Sequence, residues 1–130
     1  MPDYIYLIHP LRHEFYEQPT PEEEAAMQAH FKYLQQAVQA GIVLLAGPCL
    51  DETFGLVVFR AENEAAARVF MLNDPSVRSN VMMAELHPLR TSLRGGGAAR
   101  PAGKGGLHAL SLFALWFLWL YGQSDRRAGG

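Results

Sequence analysis

His30 and Asp74 are the residues whose types and settings point most directly to proton-transfer chemistry. Imidazole titrates near neutral pH, so one side chain can take a proton and later return it. A carboxylate against the other ring nitrogen would fix the tautomer and stabilise the charged ring. His30 stands in His30-Phe31-Lys32-Tyr33-Leu34, followed by Gly41 and Leu44-Leu45-Ala46-Gly47-Pro48; Asp74 stands in Asn73-Asp74-Pro75. Removing a proton beside a carbonyl, or eliminating a β-leaving group, needs such a base and a cation to hold an acidic substrate. Arg12 is the candidate cation, and Phe15 and Tyr33 are candidates for an apolar wall. Plainer readings stand beside these: a packing histidine, a helix-ending aspartate, a solvated loop charge and core aromatics.

These residues need elements to carry them. Tyr4–Ile8 is a β-branched and aromatic run that reads as a buried strand, and Leu11–Gln18 is a polar loop. Thr20-Pro21-Glu22-Glu23 has the form of a helix start: Thr20 caps, Pro21 suits the first position and Glu23 completes a capping box. Met27, Phe31, Leu34 and Val38 recur at helical spacing, and Gly41 is placed to end that helix. If that stripe faces the core, about 100° per residue puts His30 roughly 70° from its centre, on the border of the buried face. Residues 42–46 predict a second strand, 54–59 a third and 81–86 a fourth, with a hairpin joining the second and third. A second helix is expected over 62–72, with Ala66, Val69 and Phe70 on one face, ending before Asp74-Pro75.

The order β-α-β-β-α-β predicts an α+β, ferredoxin-like sandwich with both helices on one face of the sheet. Strands two and three are apolar nearly throughout, as strands are when both faces are covered. A partner subunit is the simplest cover, so a homodimer is expected. The divisions expected are a folded domain at 1–94, a Gly-rich linker at 95–106, an apolar helix at 107–121 and a tail at 122–130. The apolar stretch of 15 residues would span about 22 Å as a helix, short of the roughly 20 residues a membrane crossing takes. Trp116, Trp119 and Tyr121 suit a membrane interface, so weak peripheral membrane association is the lesser expectation for a helix otherwise attached to the domain.

The motif set resembles the YciI-like proteins, the YCII-related domain, over about Tyr4–Arg90: the opening strand, the histidine in His-Phe-Lys-Tyr-Leu, Gly41, Leu-Leu-Ala-Gly-Pro and Asn-Asp-Pro. That resemblance implies a dimeric α+β barrel with a His/Asp active site falling on His30 and Asp74. It also implies dehalogenation or elimination on small ring-derived acids, and related barrels that hold haem.

Composition removes several function classes. Seven Lys/Arg against twelve Asp/Glu give residues 1–94 a net charge of −5, while four against one give 95–130 a net +3. An acidic domain offers no electrostatic footprint for nucleic acid. Cys49 is the single cysteine, which excludes an internal disulfide and fits a cytoplasmic setting. No basic neighbour activates it. His9, His13 and Glu14 share a loop without the three or four converging ligands that zinc needs. The glycines between 95 and 106 read as a spacer, not a phosphate loop. No metal and no cofactor are expected. The leading expectation is a cofactor-independent lyase, isomerase or dehalogenase-like enzyme for small organic acids or lactones. The alternatives are a non-catalytic module that binds a small ligand or partner, and a haem enzyme.

Overall fold

A computed structural model of the chain describes residues 1–95. The elements run β1 (Asp3–Pro10), α1 (Pro21–Gln39), β2 (Val43–Pro48), β3 (Gly55–Arg60), α2 (Glu64–Leu72), α3 (Pro75–Arg78) and β4 (Met82–Leu89). The four strands form one sheet in the order β2-β3-β1-β4. All three pairings are antiparallel, with β1 hydrogen-bonded to β3 on one side and to β4 on the other.

Strand alternation decides which face holds the site. Tyr4, Tyr6 and Ile8 of β1, with Val57 and Phe59 of β3, point to the helix-covered face and are buried. Each such side chain stabilises the fold by roughly 1.5–3 kcal/mol through burial. The other face carries Ile5 opposite Val58 and Leu7 opposite Leu56, all partly exposed. Beside them Asp3 pairs with Arg60 across the strands at 3.5 Å.

Both ends of α1 are fixed locally. Thr20 accepts from the Glu23 backbone while Glu23 Oε1 accepts from the Thr20 backbone at 2.8 Å, completing the capping box. At the far end Gly41 adopts φ +76°. Gly41 N donates to Val38 O and Ile42 N to Ala37 O, a Schellman closure that a side chain would strain.

Several expectations are corrected. The buried stripe of α1 is Glu23, Ala26, Met27, His30, Leu34 and Ala37, rotated by about 60° from the predicted stripe; Val38 is 51% exposed. Two small alanines and two polar residues hold the core positions that bulk alone assigned to Phe31 and Val38. On α2 the buried residues are Ala67 and Met71, whereas Ala66 and Val69 are exposed. Strand β4 runs through His87 and Pro88, because an edge strand tolerates a proline that lacks a ladder donor. The implied dimeric α+β barrel is not what the chain forms. Its sheet is open, with β2 and β4 at opposite edges and not paired to each other. The expected linker and apolar helix at 107–121 lie outside the described residues. Among the described residues no helix is long and apolar enough to cross a membrane. The expected peripheral membrane association, as a partner and as part of the localisation, therefore has no support from any described helix.

Candidate active site

Asp74 is placed by the chain on either side of it. The α2 helix stops at Leu72, since a residue before proline is driven out of helical geometry. Pro75 then serves as the first residue of α3, and Asp74 becomes its N-cap at φ −58°, ψ 124°. One dipeptide ends a helix and starts another. The short α3 helix was not expected from the sequence.

The Asp74 carboxylate draws in donors from three elements. Ser76 gives its backbone N–H to Oδ1 at 2.9 Å and its hydroxyl to the same oxygen at 2.8 Å. Tyr6, on central strand β1, donates its hydroxyl to Oδ2 at 2.6 Å. His30, on α1, brings Nδ1 to 2.7 Å from both oxygens. Ser76 Oγ also lies 3.3 Å from that nitrogen. Tyr6, His30, Asp74 and Ser76 are all fully buried, each at 0% exposure.

Burial alone would raise the Asp74 pKa. The hydrogen bond and charge of His30, then the Tyr6 and Ser76 bonds, outweigh it and hold the carboxyl below its ordinary range. Asp74 is therefore the acceptor and Nδ1 carries the hydrogen. That geometry leaves Nε2 as the ring nitrogen that could exchange a proton, the division of roles found in nucleophile–histidine–carboxylate sites. Burial, followed by the Asp74 charge and hydrogen bond, drives the Tyr6 pKa far above the phenol range, so Tyr6 stays a neutral donor.

Aromatic rings form the floor beneath the carboxylate. Tyr6 meets Phe59 edge-on at 5.5 Å, and Phe59 meets Phe70 at 4.7 Å. Tyr33 stacks on Phe70 at 5.1 Å and donates its hydroxyl to Phe70 O at 2.7 Å. Burial, with the Asp74 charge second, pushes its phenol up to about 12.

The remaining sequence candidates go elsewhere. Arg12 forks onto Glu23, with Nε at 3.1 Å from both oxygens and Nη2 at 2.7 Å from Oε1. It also donates to Gln18 O and approaches Glu14. Its charge clamps the loop to the start of α1. Phe15 is 1% exposed and packs edge-on against Tyr16. His9 Nδ1 meets Thr53 O at 2.9 Å, and His87 lies 3.3 Å from Glu85. Among the described residues no three His, Cys, Asp or Glu side chains gather as metal ligands. A haem held by this imidazole would, like any ligand, require the packed elements to part, because the ring is at 0% exposure. His30 itself sits at the centre of the buried stripe, not on its border.

Sequence reading missed Tyr6 and Ser76. Ser76 had a local signal, since an Asp before Pro can cap a helix and accept from the residue two positions on. Tyr6 had half of one: a tyrosine on the buried face of a strand needs a hydroxyl partner, but its partner lies 68 residues away.

Comparison with known proteins adds the family. The model of the YCII-related domain matches residues 6–87, well over half of the chain. The chain belongs to the YCII-related domain family. The match takes in all four residues of the buried network, so the YCII-related domain is the part of the chain that carries it. No curated protein matches the chain. A solved structure matched to this YCII-related domain is 5-chloro-2-hydroxyhydroquinone dehydrochlorinase from Burkholderia phenoliruptrix in complex with 2,5-dihydroxybenzoquinone. It is 18% identical with a TM-score of 0.45, over 66% of this chain and 93% of that one. At that similarity the match carries no inference about substrate.

Proposed function

We propose that His30 and Asp74 form the acid–base pair of a cofactor-independent enzyme acting on a small organic acid or lactone. The observation that carries this reading is the 2.7 Å approach of His30 Nδ1 to a carboxylate kept ionised within the core. In this reading Nε2 takes a proton from a carbon next to a carbonyl. The electron pair left on that carbon forms a double bond and either expels a β-leaving group or moves onto the carbonyl oxygen. The imidazolium then gives its proton to the leaving group or to another carbon. Asp74 orients the ring and stabilises its charged form, and proton transfer by a side chain so positioned supplies typically 10²–10⁴-fold in such chemistry. Arg12 and Phe15 hold the loop and the core, and Tyr33 closes the aromatic floor. A substrate reaches the pair only when packed elements part, because neither side chain is exposed.

That burial favours a second reading, a non-catalytic module that binds a small ligand or partner. Its polar network would serve to lock α1 against α3. Solvent-deuterium exchange separates the two. Wild type, His30→Gln and Asp74→Asn are incubated in D2O with a panel of small acids and lactones, chlorinated ones included. Catalysis predicts deuterium at the carbon beside the carbonyl, or loss of the leaving group, slowed by about 10²-fold or more in folded variants. No exchange with any compound, or exchange undiminished in both variants, establishes the module reading.

A further inference from the structure

We propose that Tyr6 is a positioning residue for the His30–Asp74 pair: its hydroxyl, fixed on the central strand, holds Asp74 and sets how firmly the imidazole keeps a proton. This deepens the acid–base reading and rests on it. Asp74 Oδ1 takes two donors from Ser76, which belong to the same turn. Oδ2 takes the Tyr6 hydroxyl, from a different element, at 2.6 Å. Tyr6 is therefore what ties the carboxylate to the sheet. Phe59 edge-on and Phe70 at 6.2 Å confine its ring, so the hydroxyl cannot turn away without repacking the core.

The electrostatic consequence has a definite sign. A phenol that donates to Asp74 presents the positive end of its dipole to the carboxylate, and so opposes a second positive charge arriving on the adjacent ring. Among the described residues, the polar groups facing the pair include Tyr6 from β1, Ser76 at the start of α3, and Tyr33 on α1, which is close enough to feel the Asp74 charge. Among them Tyr6 alone donates from a side chain that could be made non-polar without changing the local turn or the ring stack. Removing its hydroxyl leaves the carboxylate freer to hold a cation, and His30 should keep its proton to higher pH.

The test is Tyr6→Phe in the full chain, with the His30 ring followed by NMR through a pH titration. The expected result is a His30 midpoint raised by roughly half a unit to one unit, with backbone amide shifts otherwise preserved. A midpoint that stays where it is in the folded variant overturns the proposal, since a merely structural tyrosine would lower stability without moving it. If Tyr6→Phe does not fold, the Tyr6 hydroxyl proton of the wild type serves instead. It is expected to shift as His30 titrates, and a hydroxyl resonance that ignores the titration overturns the proposal equally. Neither readout needs turnover. A moved midpoint without deuterium exchange keeps Tyr6 in its role and removes the enzyme; exchange with an unmoved midpoint does the reverse.

Discussion

A carboxylate sealed from water keeps its charge only while its donors are in place, and this makes the fold sensitive to any change at Asp74. Asp74→Ala leaves the Tyr6 hydroxyl, the His30 ring and Ser76 without their acceptor. We expect a loss of about 3–5 kcal/mol, the range for breaking a buried charged pair from one side, measured by chemical denaturation. The pH dependence has a fixed direction. The native pKa of Asp74 lies below the ordinary value, so its contribution is complete above the unfolded-state pKa of about 3.9 and is lost as pH falls through the lowered native one. Acid-unfolding curves of wild type and Asp74→Asn should therefore converge below that window and separate above it. At this scale the sequence was half legible. His30 and Asp74 stood out by type and setting, whereas Tyr6 looked like one more core aromatic, because nothing local distinguishes a buried hydroxyl with a distant partner from one without.

The elements owe their limits to a few residues whose replacement has calculable effects. Thr20→Ala removes half of the capping box and should cost about 1 kcal/mol in thermal or denaturant unfolding. Gly41→Ala meets no atom within 4 Å of the added carbon, so its expected cost of about 1–2 kcal/mol comes from left-handed backbone alone. Arg12→Ala is expected to lower stability through the loop and the start of α1, because the guanidinium is engaged by Glu23. A rise in KM with stability unchanged would instead return Arg12 to the substrate. The four strands and the two longer helices were readable from capping, periodicity and turn residues. Which face of α1 turned inward was not: Ala26 and Ala37 pack closely because they are small, and His30 is admitted to the core by a carboxylate 44 residues away. The Asp74-Pro75 pair was legible as a stop but not as a start, because the same backbone geometry serves both.

At the level of the whole domain, the order of the four strands and the two longer helices was recoverable from sequence, whereas α3 was not, and the closed barrel implied by family resemblance was not what one chain builds. A compact unit covers Met1–Arg90. We propose that residues 1–94 fold independently, and a chain ending at Arg94 should retain the same far-UV circular dichroism and a single cooperative melt. The strand order carries one more consequence. Strand β1 leaves the ribosome first, yet its two neighbours in the sheet are β3 and β4, and β4 is made last. At about 5–20 residues per second of synthesis, Tyr6 waits several seconds for the carboxylate that will accept its hydroxyl. Until Leu89 has emerged, one edge of the central strand remains open on the nascent chain. Over that interval the nascent chain offers an unpaired strand edge with which another chain can pair.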